Sequence, residues 1–176
     1  DHHLGISWII PQVDFSFAKA RRGIEASGIL RMPGMEGKTT TIKADSLVNQ
    51  DFTNIHLEAE IKNADLAAFS DKIFPGQIMQ RQLIVFDGDI SADFGEDLAL
   101  QKAEFSIDSP TGQAVIPDLY DEPLLYKDLK LRARYNKTDN ILKVERISAR
   151  IRDILLNLSA DLTVEPDHIS GSALLE

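Results

Sequence analysis

The residues best suited to chemistry cluster in Asp87-Gly88-Asp89-Ile90-Ser91-Ala92-Asp93, where spaced carboxylates suggest a calcium loop. An EF-hand loop needs a glycine at its sixth position for the sharp turn and a glutamate at its twelfth to close bidentately. Counted from Asp87, those positions hold Ala92 and Leu98. Alternating Asp87, Asp89 and Ser91 instead suit the polar side of a β-strand. Asp93-Phe94-Gly95 matches the metal-binding tripeptide of kinases by letters alone, because no glycine-rich loop, lysine strand or catalytic loop accompanies it. The histidines are His2, His3, His56 and His168, with neither HExxH spacing nor a carboxylate arrangement that would make one a zinc ligand or a base. No serine sits in a G-x-S-x-G elbow, and no glycine-rich phosphate loop is present. The absence of cysteine removes disulfides, thiolate nucleophiles and Cys-ligated zinc together. The expectation is a non-enzymatic chain with no catalytic residue, no metal site and no cofactor.

Charge narrows the partners. The 176 residues carry a net charge of −9, which disfavours nucleic acid, since phosphate backbones are held by surplus Lys and Arg. It also disfavours docking onto anionic headgroups. Lys130, Arg132, Arg134, Arg146, Arg150 and Arg152 make the last third locally basic. A solvated sheet face balanced by Asp121, Glu122, Asp128 and Glu145 accounts for them. Asn136-Lys137-Thr138 and Asn157-Leu158-Ser159 match the glycosylation sequon, a pattern too short and common to assign a site by itself.

The elements that must carry these side chains are strands. Period-two alternation recurs along the chain. Ile55, Leu57, Ala59 and Ile61 oppose His56, Glu58, Glu60 and Lys62, while Leu129, Leu131, Ala133 and Tyr135 oppose Lys130, Arg132 and Arg134. Val13 to Phe17, Ile24 to Met32, Thr40 to Ala44, Ile84 to Phe94, Ala103 to Ile107, Ile147 to Ile151 and Ile154 to Val164 follow the same rule. Turns are expected at Met32-Pro33-Gly34, Glu36-Gly37-Lys38, Ser109-Pro110-Thr111-Gly112, Asn136 to Asn140 and Glu165-Pro166-Asp167. Asn63 to Phe74 has helical spacing at Leu66, Phe69, Ile73 and Phe74, with Asn63 or Asp65 as its cap and Pro75-Gly76 as its end, and a weaker second helix falls at Gln77 to Gln82. The strand pair containing Ile42-Lys43-Ala44 is echoed by the pair containing Val144, a degenerate repetition of an elongated sheet. The predicted fold is mainly β: an elongated, curved antiparallel meander, groove-like and repeating, with one or two short helices, over a single segment 1–176. No run reaches the ~18 apolar residues of a membrane span, and Leu4 to Pro11 is too short. Asp1-His2-His3 is either native or a tag remnant.

Residues Ala103 to Leu175 resemble the AsmA-like superfamily, in the branch of large YhdP-type bacterial envelope proteins. The resemblance rests on Phe105-Ser106-Ile107-Asp108-Ser109-Pro110, the connector Ala114-Val115-Ile116-Pro117-Asp118-Leu119-Tyr120-Asp121-Glu122-Pro123-Leu124, and Leu129 to Tyr135 with the strand pair through Val164. Tyr120 and Ala133 stand where the family often has phenylalanine and glycine. Asn54 to Phe94 fits the preceding part of the pattern. The resemblance implies a segment of a longer, repeat-built periplasmic protein anchored in the inner membrane by a helix outside this chain. It also implies a groove that passes phospholipid towards the outer membrane, or serves outer-membrane assembly. On that reading Phe86, Ile107, Leu131, Ile154, Leu156, Leu158 and Leu162 line the groove, with phospholipid acyl chains and neighbouring repeats of the same protein as partners. The alternative is a periplasmic β scaffold or protein-interaction module without lipid, in which the same residues close an ordinary core.

Overall fold

A computed structural model describes residues 12–33, 37–66, 83–115, 122–164 and 169–176. Ten strands form one sheet: β1 (Gln12–Ala20), β2 (Gly23–Pro33), β3 (Thr39–Asn49), β4 (Ile55–Asp65), β5 (Leu83–Phe94), β6 (Leu100–Ala114), β7 (Leu124–Asn136), β8 (Ile141–Ile151), β9 (Ile154–Val164) and β10 (Ile169–Leu175). Spatial order follows chain order, with β1 and β10 at opposite edges, so the sheet is an open meander. Neighbours pair antiparallel throughout. At ~4.8 Å per strand step, the sheet is about 43 Å across.

Short connections enforce the meander. Ala20 pairs with Gly23 around Arg21-Arg22, and Ile151 pairs with Ile154 around Arg152-Asp153. The expected Asn136 to Asn140 hairpin is present. Asn136 Oδ1 accepts the Thr138 N–H at 3.0 Å, and the Asn140 N–H donates to the Lys137 carbonyl at 3.2 Å. Asn49 organises the β3–β4 loop similarly, its Oδ1 accepting from the N–H groups of Thr53 at 2.9 Å and Asn54 at 3.1 Å. These asparagines supply the local acceptors that turn backbone requires.

Bulges keep one side of the sheet apolar where strict alternation would invert it. In β4 the register shifts between Ile61 and Ala64, and Asn63 adopts φ 52°. Its N–H donates to Asp87 Oδ1 at 2.9 Å, and its carbonyl accepts from Thr40 Oγ1 at 2.8 Å. The extra residue returns Ala64 to the side occupied by Ile61. Asp128, φ 54°, does the same in β7 between Tyr126 and Leu129, and a shift in β8 keeps Val144 and Ile147 on one side. Asn tolerates the left-handed region better than branched residues do. Asn63→Val is therefore expected to cost about 1–2 kcal/mol in urea unfolding, whereas Asn63→Gly changes stability by no more than a few tenths.

Two sequence expectations need correction. Ser109-Pro110-Thr111-Gly112 is not a turn but lies inside β6, where a register shift against β5 falls between Ile84 and Asp87. A bulge tolerates proline because the ladder is already interrupted there. Of the two expected caps of the helix, Asn63 does not serve, because Asn63 to Asp65 complete β4, whereas Leu66, directly after Asp65, is helical. Residues 67–82, which hold the rest of the expected first helix and all of the second, lie outside the described residues. So do 1–11, 34–36, the core of the proline connector at 116–121, and 165–168 with His168.

Candidate functional site: an apolar strip across the sheet

The registers align the strands' apolar positions into rows perpendicular to the chain. One row reads Val13, Leu30, Ile42, Ile61, Gly88, Ile107, Leu131, Ile147, Leu158 and Leu175, one residue from each strand in order. Apart from Gly88, every member is a branched aliphatic. The adjacent row runs from Phe15 through Gly28, Ala44, Ala59, Ile90, Phe105, Ala133, Val144 and Ala160 to Ala173. A third row runs from Phe17 through Ala26, Ser46, Leu57, Ala92, Ala103, Tyr135, Leu142 and Leu162 to Gly171. No charged side chain interrupts these rows.

Burial within the strip is uneven. The covered residues are mostly small: Ala64 at 0%, Ala92 at 5%, Ala133 at 4% and Ala160 at 9% exposure. Ala133, Val144 and Ala160 form a cluster against which Phe105, Leu131, Leu142, Ile147, Leu158 and Leu162 pack. Among the described residues, Ser109 is the largest side chain that is fully buried. Large aliphatics thus shield their small neighbours and keep their own outer surfaces open. Among the described residues the strands form a single sheet, without the second layer under which stable domains ordinarily bury an apolar sheet face.

The expected lining residues share this side of the sheet. Ile107, Leu131 and Leu158 are members of the aliphatic row, Leu162 belongs to the third row, and Leu156 pairs with Ala149. Phe86 lies opposite Ala64, with its ring 3.6 Å from where a β-carbon on Gly88 would stand. Ile154 is set apart, 63% exposed at the β8–β9 turn. Sequence reasoning missed Tyr126, which is 5% exposed on the same side of the sheet. Its hydroxyl lies 2.8 Å from Ser109 Oγ, and that hydroxyl donates to the Val85 carbonyl at 2.7 Å. Burial raises the Tyr126 pKa, with the Ser109 hydrogen bond opposing the shift. Gly112 leaves room for the phenol: a β-carbon there would stand 2.2 Å from the Tyr126 oxygen.

The opposite side is polar and biased by sign, with Lys43, Lys62 and Lys102 as a cationic minority on β3 to β6 and Glu145 among the bases of β8. Asp45, Glu58, Glu60, Asp87, Asp89, Asp93, Glu104 and Asp108 occupy β3 to β6, whereas Lys130, Arg132, Arg134, Lys143 and Arg146 occupy β7 and β8. Of the acids expected to balance this basic strip, Glu145 does so, 2.7 Å from Arg134. Asp108 and Asp161 supply the rest, 3.6 Å from Lys130 and 3.9 Å from Lys143. These pairs are exposed and each contributes at most about 1 kcal/mol. A hollow of ≈ 560 Å³ lies among side chains of both signs, including Glu58, Glu104 and Arg132.

His56 sits on the polar side, with Nδ1 2.7 Å from Asp93 Oδ1 and Nε2 3.4 Å from Glu58 Oε1. The hydrogen bond to Asp93 raises its pKa, against a smaller opposing effect of burial. A raised folded-state pKa gives a stabilisation that is complete below the unfolded value of ~6.5 and is lost as pH rises through the folded value. The urea midpoint should therefore fall slightly on going from pH 5.5 to 8.5, and His56→Gln should remove that part of the slope. Among the described residues, no group of three or more histidines and carboxylates could hold a metal ion, and no helix is long and apolar enough to cross a membrane.

No protein-family model matches the chain, and neither the curated proteins nor the solved structures contain a match.

Proposed function

We propose that this chain is a lipid-handling segment of an AsmA-like, YhdP-type periplasmic protein, and that its apolar strip carries phospholipid acyl chains. The observation behind the reading is the aliphatic row that crosses ten strands without a charge. A bilayer's hydrocarbon core is ~30 Å thick, so one acyl chain spans about 15 Å. A strip of about 43 Å is then long enough for a chain to slide along it without leaving apolar surface. Each methylene removed from water contributes about 0.8 kcal/mol, so retention needs no specific polar contact. Side chains along the rows carry no charge to hold a headgroup in place, their polar groups being the hydroxyls of Ser46 and Tyr135, which suits passage better than storage. The function is non-enzymatic and requires no cofactor. The parent protein is anchored in the inner membrane, and the segment serves phospholipid transport between inner and outer membranes or outer-membrane assembly.

The second reading is a scaffold in which the strip is a packing surface. The Ala133, Val144 and Ala160 cluster favours it, because those residues are already covered by their neighbours. A photo-crosslinking residue at Ile107, Leu131 or Leu158 separates the two. Transport predicts phospholipid adducts at all three positions, whereas a scaffold gives protein adducts or none.

A further inference from the structure

The polar side of the sheet is ordered in rows, as the apolar side is. One row reads Asp89, Ser106, Arg132 and Arg146 across β5 to β8, and the next reads Ser91, Glu104, Arg134 and Lys143. A third begins Asp87, Asp108 and Lys130. Each row passes from acid or serine on β5 and β6 to base on β7 and β8. The sign changes at the β6–β7 boundary.

Such an arrangement opposes what a sheet in isolation favours, because like charges directly opposite one another on neighbouring strands are destabilising. Asp45 nevertheless pairs with Glu58, Glu60 with Asp89 and Asp87 with Asp108, while Arg132 pairs with Arg146 and Arg134 with Lys143. Part of the repulsion is relieved within the chain. Lys62 reaches Asp87 at 3.4 Å, Lys43 reaches Glu60 at 3.5 Å, and Glu145 holds Arg134. Among the described residues, however, Asp89 and Glu104 have no cation within ion-pair distance, and Arg132 and Arg146 have no carboxylate. The Asp89 carboxylate accepts from the Ser106 hydroxyl at 3.3 Å, and the Arg146 guanidinium donates to Asn157 Oδ1 at 3.1 Å, both neutral partners. All four of these charged side chains are exposed.

From these observations we infer that the polar sides of two copies of this chain dock face to face, about a two-fold axis parallel to the strands over the β6–β7 boundary. Rotation about that axis lays β6 of each copy over β7 of the other, and β5 over β8, without moving any residue along its strand. Each row therefore meets itself reversed. Asp89 faces the partner's Arg146, Glu104 faces the partner's Arg134, and Asp108 faces the partner's Lys130. Every contact occurs twice, as an isologous interface requires. The hollow of ≈ 560 Å³ lined by Asp89, Glu104 and Arg132 gives the arriving arginines room. Four strands, each about nine residues long, present about 570 Å² per copy, which brings the total past the ~1,000 Å² that a specific interface needs. The interface uses none of the apolar strip and does not depend on what that strip carries. Charge steers and holds it, so salt weakens it.

Sedimentation velocity of the whole chain tests the docking. In about 0.1 M salt the screening length is ~10 Å, which subdues long-range repulsion between the two chains but spares direct contacts. The unmodified chain should dimerise there, and its dissociation constant should rise at least tenfold in about 1 M salt, where screening reaches ~3 Å. Arg132→Glu/Arg146→Glu and Asp89→Lys/Glu104→Lys should each be monomeric at the lower salt, with the circular dichroism of the parent. An equimolar mixture should recover the dimer, because reversed patches then meet reversed patches and native patches meet native ones. Should a reversal unfold the chain, Arg132→Gln/Arg146→Gln asks the same question, and its dimer should be at least tenfold weaker than the parent's. Lys19→Glu/Arg21→Glu makes the same change in net charge away from the interface and should leave the dimer intact. A parent that is monomeric at the lower salt, a dimer that tightens as salt is added, a mixture that stays monomeric, or a dimer weakened equally by the β1 reversal would each overturn the inference.

Discussion

Tyr126→Ala lowers the free energy of unfolding by about 3–5 kcal/mol in urea titration, the largest single-residue effect expected in this chain. The side chain is 5% exposed and lies where three irregularities meet: the β6 register shift, the Asp128 bulge and the close approach permitted by Gly112. Alanine removes an aromatic ring that the surrounding backbone cannot collapse to replace. It also deprives the buried Ser109 hydroxyl of one partner, although Ser109 retains the Val85 carbonyl. Tyr126→Phe separates the two contributions. It keeps the ring and loses only the hydroxyl, for about 1 kcal/mol. If both variants cost the same small amount, the packing role assigned to Tyr126 is wrong.

If the strip carries phospholipid as proposed, Leu131→Glu is expected to lower phospholipid retention at least tenfold, which corresponds to about 1.4 kcal/mol or more. Leu131 stands between Ile107 and Ile147 in the aliphatic row, and a carboxylate there must either lose water against an acyl chain or exclude the chain. Ser106→Glu is the control, because it adds the same charge on the polar side, opposite Asp89 and Arg132. Lipid phosphorus per mole of protein, measured after detergent-free purification, should drop for the first variant and stay unchanged for the second. Leu131 also packs against the Ala133 cluster, so the unfolding midpoint must be measured alongside.

Much of the sheet was legible because alternation is local. The Ile55 to Ile61 and Leu129 to Tyr135 series each place an apolar and a polar side without knowledge of any partner strand. The bulges were not legible, since a left-handed Asn63 or Asp128 looks like any polar residue until two strands are aligned. Ser109-Pro110-Thr111-Gly112 misled for a related reason. Proline and glycine punctuate loops, but they also mark a bulge within a long strand, and only the β5 and β7 pairings distinguish the two. The site was legible in part: Ile107, Leu131 and Leu158 could be placed on an apolar side, but their union in one row depends on long-range register. Tyr126 escaped notice because the bulge at Asp128 puts it out of step with Leu129 and Leu131.

Native mass spectrometry of the chain purified without detergent from a bacterial envelope, with lipid extraction from the same sample, tests the central claim most directly. The account predicts phospholipid bound to the folded protein, with crosslinks from Ile107, Leu131 and Leu158 to lipid and none from Ser106 on the polar side. Protein free of phospholipid, with no lipid adduct at those three positions, would contradict it.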